Sequence, residues 1–125
     1  MRIVNFNSLA QPPIITVHES KIAYLCVNRN GTLLATSSDK GTLVRIFNVK
    51  DAKLLIELRR GITNADINCI IFDEYNRHVA CAYGTGAVHI FSIVEAMKNN
   101  YNENYYFDEN DTNETKNQKK FFKWI

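Results

Sequence analysis

The 125-residue sequence has little cysteine, no excess of either charge and no long apolar run, and each absence excludes a class of protein. Three cysteines, Cys26, Cys69 and Cys81, are too few and too far apart for a disulfide framework, so we expect buried thiols in a reducing compartment. The net charge of +2 argues against a dedicated nucleic-acid-binding protein. No apolar run approaches the roughly 18 residues of a membrane span, so no transmembrane segment is expected.

The sequence also lacks the motifs by which many enzymes and metal proteins are recognised. No Cys-x-x-Cys or His-x-x-x-His spacing indicates zinc, and we predict no cofactor. There is no Ser-His-acid order, and no glycine-rich phosphate loop opens a helix. We therefore expect a binding protein and not an enzyme.

Composition divides the chain near residue 94. Residues 1–94 are rich in apolar and β-branched side chains, whereas residues 95–125 are polar and Asn-rich until the apolar end at Phe121 to Ile125. A stretch this polar buries too little apolar surface to offset the entropy of ordering, so we predict a disordered loop there. A helix is predicted only weakly, as one or two turns from Ile93 to Asn99.

Short apolar runs separated by turn residues predict an all-β fold for residues 1–94. The runs are Ile22–Val27, Leu33–Ser38, Thr42–Asn48 and Lys53–Leu58, with turns at Asn28–Gly31, at Asp39–Gly41 and around Asp51. Runs of this length with turn signals between them indicate an antiparallel meander, in which each strand pairs with the next.

The pattern of the runs repeats along the chain. Ile22 recurs as Ile67 after 45 residues, and Ile46 recurs as Ile90 after 44, because the second copy lacks one residue. A four-stranded unit of about 40–45 residues is the period of a WD-type β-propeller blade, although the Trp-Asp dipeptide is absent. We therefore predict antiparallel four-stranded blades of a WD40-like β-propeller, incomplete in this chain. The predicted pieces are the end of one blade (1–17), a complete blade (18–61) and three strands of the next (62–94).

Two adjacent arginines, Arg59 and Arg60, end the predicted complete blade. Consecutive residues of a strand point to opposite faces, so the two side chains are expected to enter two different clefts. An arginine fork donates paired hydrogen bonds to phosphate and stays charged. Arg45 and the turn at 37–42 could share the Arg59 cleft, and His89 could share the Arg60 cleft. A solvated edge that discourages strand pairing is the more common role of such a pair and stays open.

Four stretches of the sequence closely resemble one family. They are His18–Ala23, Asn30–Phe47, Glu57–Gly61 and Val88–Phe91. Together they resemble the PROPPIN family of seven-bladed β-propellers, which bind phosphoinositides and act in autophagy. The resemblance implies a fragment covering about the fifth and sixth blades. Residues 95–125 would then stand where the family has a long loop that inserts into membranes.

The resemblance also implies particular site residues. The first phosphoinositide site would comprise Arg59, Arg45, Ser38, Lys40 and Thr42, and the second would comprise Arg60 and His89. The turn of the second site departs from the family, which has Ser, Lys and Thr where this chain has Tyr83, Thr85 and Ala87. Candidates for membrane insertion are Tyr105, Tyr106, Phe107, Phe121, Phe122 and Trp124. We expect a structural role for His18, which matches the histidine that opens WD-type blades.

The function implied by the resemblance is binding of phosphatidylinositol 3-phosphate, with the 3,5-bisphosphate as a second ligand. The protein would be cytoplasmic and peripheral on autophagosome-precursor, endosomal or vacuolar membranes. Its implied partners are these lipids and the lipid-transfer or conjugation proteins of autophagy. The alternative is a WD-repeat protein–protein scaffold without lipid binding. Two blades and a part cannot close a ring, so we expect a longer reading frame or a partner to supply the rest.

Overall fold

The computed structural model describes residues 1–4, 11–12, 14–84 and 86–103, with side chains up to residue 99. In the described residues, seven strands precede one helix. The elements are β1 (Ile22–Val27), β2 (Leu33–Ser38), β3 (Leu43–Asn48), β4 (Leu54–Arg59), β5 (Ile67–Phe72), β6 (His78–Tyr83), β7 (Ala87–Ser92) and α1 (Ile93–Glu103). The strands form two antiparallel meanders, β1-β2-β3-β4 and β5-β6-β7.

The two meanders repeat at the offset that the sequence predicts. β5 and β6 begin 45 residues after β1 and β2, and β7 begins 44 residues after β3. The β1–β2 and β5–β6 pairs also share an irregularity in register, between Ile22 and Tyr24 in one and between Ile67 and Cys69 in the other. The repeat therefore extends from the apolar pattern to the backbone.

A side-chain cap fixes the turn between the first two strands of each meander. Asn28 Oδ1 accepts the amide N–H groups of Thr32 and Leu33, both at 2.9 Å, and this bonding holds the β1–β2 turn in place. Asp73 caps the β5–β6 turn in the same way, 45 residues later. Asn76 has a φ of 56° in that turn, where the first copy has Gly31 at 72°. Asn tolerates this left-handed conformation better than most residues, so the second turn forms without glycine.

The apolar core lies between the two sheets. Alternating side chains of β3 and β4 face the second sheet, and the most deeply buried residues come from both sheets. Those of the first sheet are Ala35, Val44, Ile46 and Ile56, and those of the second are Ile70, Val79 and Cys81. Complete burial of an aliphatic side chain contributes about 1.5–3 kcal/mol, so this contact is the main source of stability.

The N-terminal segment packs against the other face of the first sheet. An antiparallel bridge pairs Arg2 with Ile14, and the amide N–H of Ile15 donates to the carbonyl of Met1 at 2.9 Å. Val17 is buried against Leu34 and Phe47 of the sheet. The first sheet is therefore covered on both faces, as a propeller blade is by its neighbours.

A helix follows β7 where the first meander has a fourth strand. α1 spans Ile93–Glu103, and the hydroxyl of Ser92 caps its start by accepting the amide N–H of Glu95 at 3.3 Å. Buried Ile93 and half-buried Met97 anchor it on the core. α1 includes the one or two helical turns predicted from Ile93 to Asn99 and extends to Glu103, so the prediction of a disordered loop is wrong for residues 95–103. The rest of that predicted loop, 104–125, lies outside the described residues. Among the described residues, no helix has the length and apolar character needed to cross a bilayer.

The three cysteines are all free thiols. Cys81 is fully buried, and burial raises the pKa of its thiol to about 11. Cys26 on β1 and Cys69 on β5 are only half-buried, and Cys26 packs against the edge of the apolar core. The prediction of three buried thiols is thus right for Cys81 and wrong for the other two.

Candidate phosphate-binding clefts

The end of β4 presents charge to both faces of the first sheet. Arg59 is exposed and lies opposite Leu43 in the register, on the same face as Arg45 and Glu57. Arg60 follows on the other face and is 6% exposed. The strand alternation therefore places the two arginines on opposite faces of the first sheet.

The first cleft lies between the first sheet and the N-terminal segment. Arg45 and Glu57 are directly opposite each other in the register, and Arg59 is the diagonal neighbour of Arg45. Diagonal neighbours on one face are about 7–8 Å apart at Cα, so two long arginine side chains can reach one phosphate. Ser38 lies on this face too, two residues after Thr36, which pairs with Arg45.

Arg45 is held by two groups at the wall of this cleft. Its Nε donates to Glu57 Oε2 at 2.8 Å, and its Nη1 donates to the carbonyl of Val17 at 2.5 Å. The side chains of Arg45 and Glu57 are 24% and 39% exposed, so solvent still reaches the pair. Glu57 was not among the predicted site residues. Its period-two spacing from Arg59 was the signal that could have identified it.

The turn between β2 and β3 serves mainly as a scaffold for this region. The amide N–H of Arg60 donates to the carbonyl of Thr42 at 2.8 Å, and that of Ala65 donates to the carbonyl of Lys40 at 3.1 Å. Lys40 is exposed at the turn, Thr42 is half-buried and Ser38 is buried. Lys40 is therefore the residue of this predicted group that is most accessible to a ligand.

His18 lies beside the same cleft, next to the residue that holds Arg45. Its Nε2 is 3.0 Å from Thr36 Oγ1. Burial, and then the positive charge of Arg45, hold the pKa of His18 below its ordinary value of 6.5. The imidazole is therefore neutral at pH 7, where its hydrogen bond with Thr36 joins the N-terminal segment to β2.

The lowered pKa of His18 predicts loss of stability in mild acid. The unfolded chain binds a proton near pH 6.5, while the folded chain binds it only at lower pH, so the free energy of unfolding falls as pH drops through this window. Urea unfolding between pH 5 and 7.5 should show this slope in the wild type and a smaller slope in His18→Gln. Identical slopes for wild type and His18→Gln would contradict the prediction.

The second cleft lies between the two sheets, and its arginine is already bound to protein groups. Arg60 Nε donates to the carbonyl of Gly41 at 2.7 Å, and Arg60 Nη2 donates to the carbonyl of Thr63. The guanidinium also lies 4.7 Å above the ring of Tyr83 on β6. Arg60 thus joins the β2–β3 turn, the β4–β5 connection and the second sheet.

Tyr83 stands between Arg60 and the other predicted residue of the second site. The Tyr83 hydroxyl is 3.3 Å from His89 Nε2, and the two rings meet edge to face with centroids 5.3 Å apart. Ala87 pairs with Tyr83 in the register. The structure therefore brings Arg60 and His89 into one cleft but fills the space between them with an aromatic ring. Thr85 and the six candidates for membrane insertion, at 105–107, 121, 122 and 124, lie outside the described residues.

Comparison with known proteins identifies the family. The family model described as PROPPIN matches residues 1–110. The chain belongs to the PROPPIN family. Autophagy-related protein 18 of Komagataella pastoris is 38% identical over 100 residues, which cover 78% of this chain and 18% of that protein. The PROPPIN chain therefore spans less than a fifth of the length of this curated relative.

Solved PROPPIN structures confirm the fold. Kluyveromyces lactis Hsv2 matches 60% of this chain and 23% of its own, with 28% identity and a TM-score of 0.59. KlAtg21, solved as a complex with the coiled coil of AgAtg16, matches 61% of this chain and 25% of its own, with 33% identity and a TM-score of 0.55. The chain is accordingly an all-β part of a β-propeller, as the sequence predicted.

Proposed function

We propose that this chain forms part of an autophagy protein that binds phosphatidylinositol 3-phosphate through the first cleft. The observation that carries the proposal is the placement of Arg59 and Arg45 on one face of the first sheet, as diagonal neighbours on β4 and β3. Two arginines at this spacing suit a dianionic phosphate, because each guanidinium donates paired, charge-assisted hydrogen bonds. Lys40 is exposed at the neighbouring turn and adds a third positive charge.

The family supports the cellular setting of this proposal. Relatives such as the Komagataella protein are named for autophagy, and we infer a peripheral location on autophagosome-precursor, endosomal or vacuolar membranes. The solved complex of KlAtg21 with a coiled coil supports protein partners from the autophagy machinery. The protein would act by recognition and recruitment, and we propose no enzymatic activity.

The second cleft supports a smaller role in lipid binding. Arg60 already donates to two main-chain carbonyls and contacts Tyr83, so a phosphate would have to replace these interactions. The second cleft therefore fits the alternative function, a protein-binding scaffold without lipid binding, better than the first cleft does. Binding of the 3,5-bisphosphate stays a secondary proposal.

Vesicle flotation tests the proposed function directly. The protein should float with vesicles that contain phosphatidylinositol 3-phosphate and remain behind with vesicles of unphosphorylated phosphatidylinositol. Binding should weaken as salt rises to about 0.5 M, because the contacts are electrostatic. Equal flotation with both vesicles would overturn the headgroup proposal, and absence of flotation with both would leave the scaffold function in its place.

A further inference from the structure

An acidic side chain occupies the wall of the first cleft. Glu57 lies opposite Arg45 in the register and two residues before Arg59, on the face that both arginines share. Its carboxylate accepts a hydrogen bond from Arg45 Nε at 2.8 Å. The proposed site for an anionic headgroup therefore contains a carboxylate that is already paired with one of its two arginines, Arg45.

The pair is accessible enough to rearrange when a ligand arrives. The Glu57 side chain is 39% exposed and can turn into solvent, whereas Arg45 keeps a second anchor on the carbonyl of Val17. An ion pair at this degree of exposure is weak, so a phosphate can compete with the carboxylate for the guanidinium. Arg45 would remain in place when Glu57 releases it.

We propose that Glu57 is a specificity-determining residue that makes the first cleft favour a headgroup with one phosphomonoester group over a headgroup with two. This inference rests on the proposed function and deepens it. The carboxylate of Glu57 offsets part of the positive charge of Arg45. The net positive charge of the cleft is therefore lower than the two arginines alone would give. A headgroup with a second phosphate brings more negative charge close to Glu57, and the repulsion grows with that charge.

The matched test is Glu57→Gln, which removes the charge and keeps the shape. We expect affinity for vesicles with phosphatidylinositol 3-phosphate to rise about threefold and affinity for the 3,5-bisphosphate to rise about tenfold. The ratio of the two affinities is the decisive measurement, since a purely structural role for Glu57 would lower both together. Glu74→Gln is the control, because Glu74 forms an exposed ion pair with Arg29 at 2.9 Å and its loss changes the net charge equally.

Each outcome of this experiment has a distinct meaning. An unchanged ratio, or weaker binding of both lipids by Glu57→Gln, overturns the role of Glu57 and leaves the proposed function intact. Failure of the wild type to bind either vesicle overturns the proposed function and the inference with it. Competition with millimolar inorganic phosphate shows whether the cleft recognises the lipid headgroup or any free phosphate. Selectivity between the two lipids that persists under this competition supports a headgroup site, and its complete loss overturns the inference in favour of a free-phosphate site.

Discussion

Arg59→Ala should reduce binding to vesicles with phosphatidylinositol 3-phosphate by about ten- to hundredfold, since it removes charge-assisted hydrogen bonds and one charge near the membrane surface. The side chain is exposed, so the thermal unfolding midpoint should change little. Vesicle flotation with increasing lipid concentration measures the first effect, and circular dichroism measures the second.

Arg29→Ala is the matched control for Arg59→Ala. Both variants lose one positive charge, but the Arg29 side chain is 80% exposed and pairs with Glu74 at the β1–β2 turn, away from the first cleft. Binding should therefore stay near the wild-type level in Arg29→Ala. Equal losses in the two variants would show that net charge, and not the first cleft, governs binding.

Gly41→Ala should destabilise the protein by about 3 kcal/mol or more, the largest stability effect that we predict. Gly41 has a φ of 62°, and a Cβ atom built on it would lie 1.8 Å from the carbonyl oxygen of Ala65. The backbone at Gly41 would have to move away from the backbone at Ala65, which would break the hydrogen bond from the Ala65 N–H to the Lys40 carbonyl. It would also move the Gly41 carbonyl that accepts from Arg60. Urea unfolding measures the loss.

Gly31→Ala separates the two causes of this effect. Gly31 has a similar φ of 72°, but nothing lies within 4 Å of a Cβ atom built there. Gly31→Ala should lower the free energy of unfolding by only about 1–2 kcal/mol, the cost of holding alanine in the left-handed conformation. If Gly41→Ala and Gly31→Ala cost the same, the contact with Ala65 is not a source of strain.

The strands could be predicted because local patterns decide them. β1 and β2 have the bounds that the apolar runs indicate, β3 begins one residue later than its run, and β4 is shifted by one residue at both ends. The β1–β2 turn follows from Asn28 and Gly31, whose local chemistry is visible in the sequence. The repeat added further evidence, because two copies of a weak pattern are more informative than one.

The full length of the helix and the burial of Arg60 could not be predicted in the same way, because tertiary contacts decide them. α1 is polar along most of its length, and its docking through Ile93 and Met97 depends on the core that the two sheets form. The separation of Arg59 and Arg60 into two clefts follows from alternation alone. The burial of Arg60 depends on the carbonyl of Gly41, which is 19 residues away in the sequence, and on the ring of Tyr83 in the second sheet, as well as on the carbonyl of Thr63 three residues ahead.

Because Arg59 and Arg60 point to opposite faces, the number of residues in β4 is constrained during evolution. Deletion or insertion of one residue within β4 would exchange the faces of the two arginines, so that the exposed Arg59 would point inward and the buried Arg60 outward. Both clefts would be lost in a single step. The two copies of the repeat do differ by one residue, because three residues connect β6 to β7 whereas four connect β2 to β3. Changes of length are thus tolerated at the turns, whereas the strands that carry the arginines are expected to keep their length.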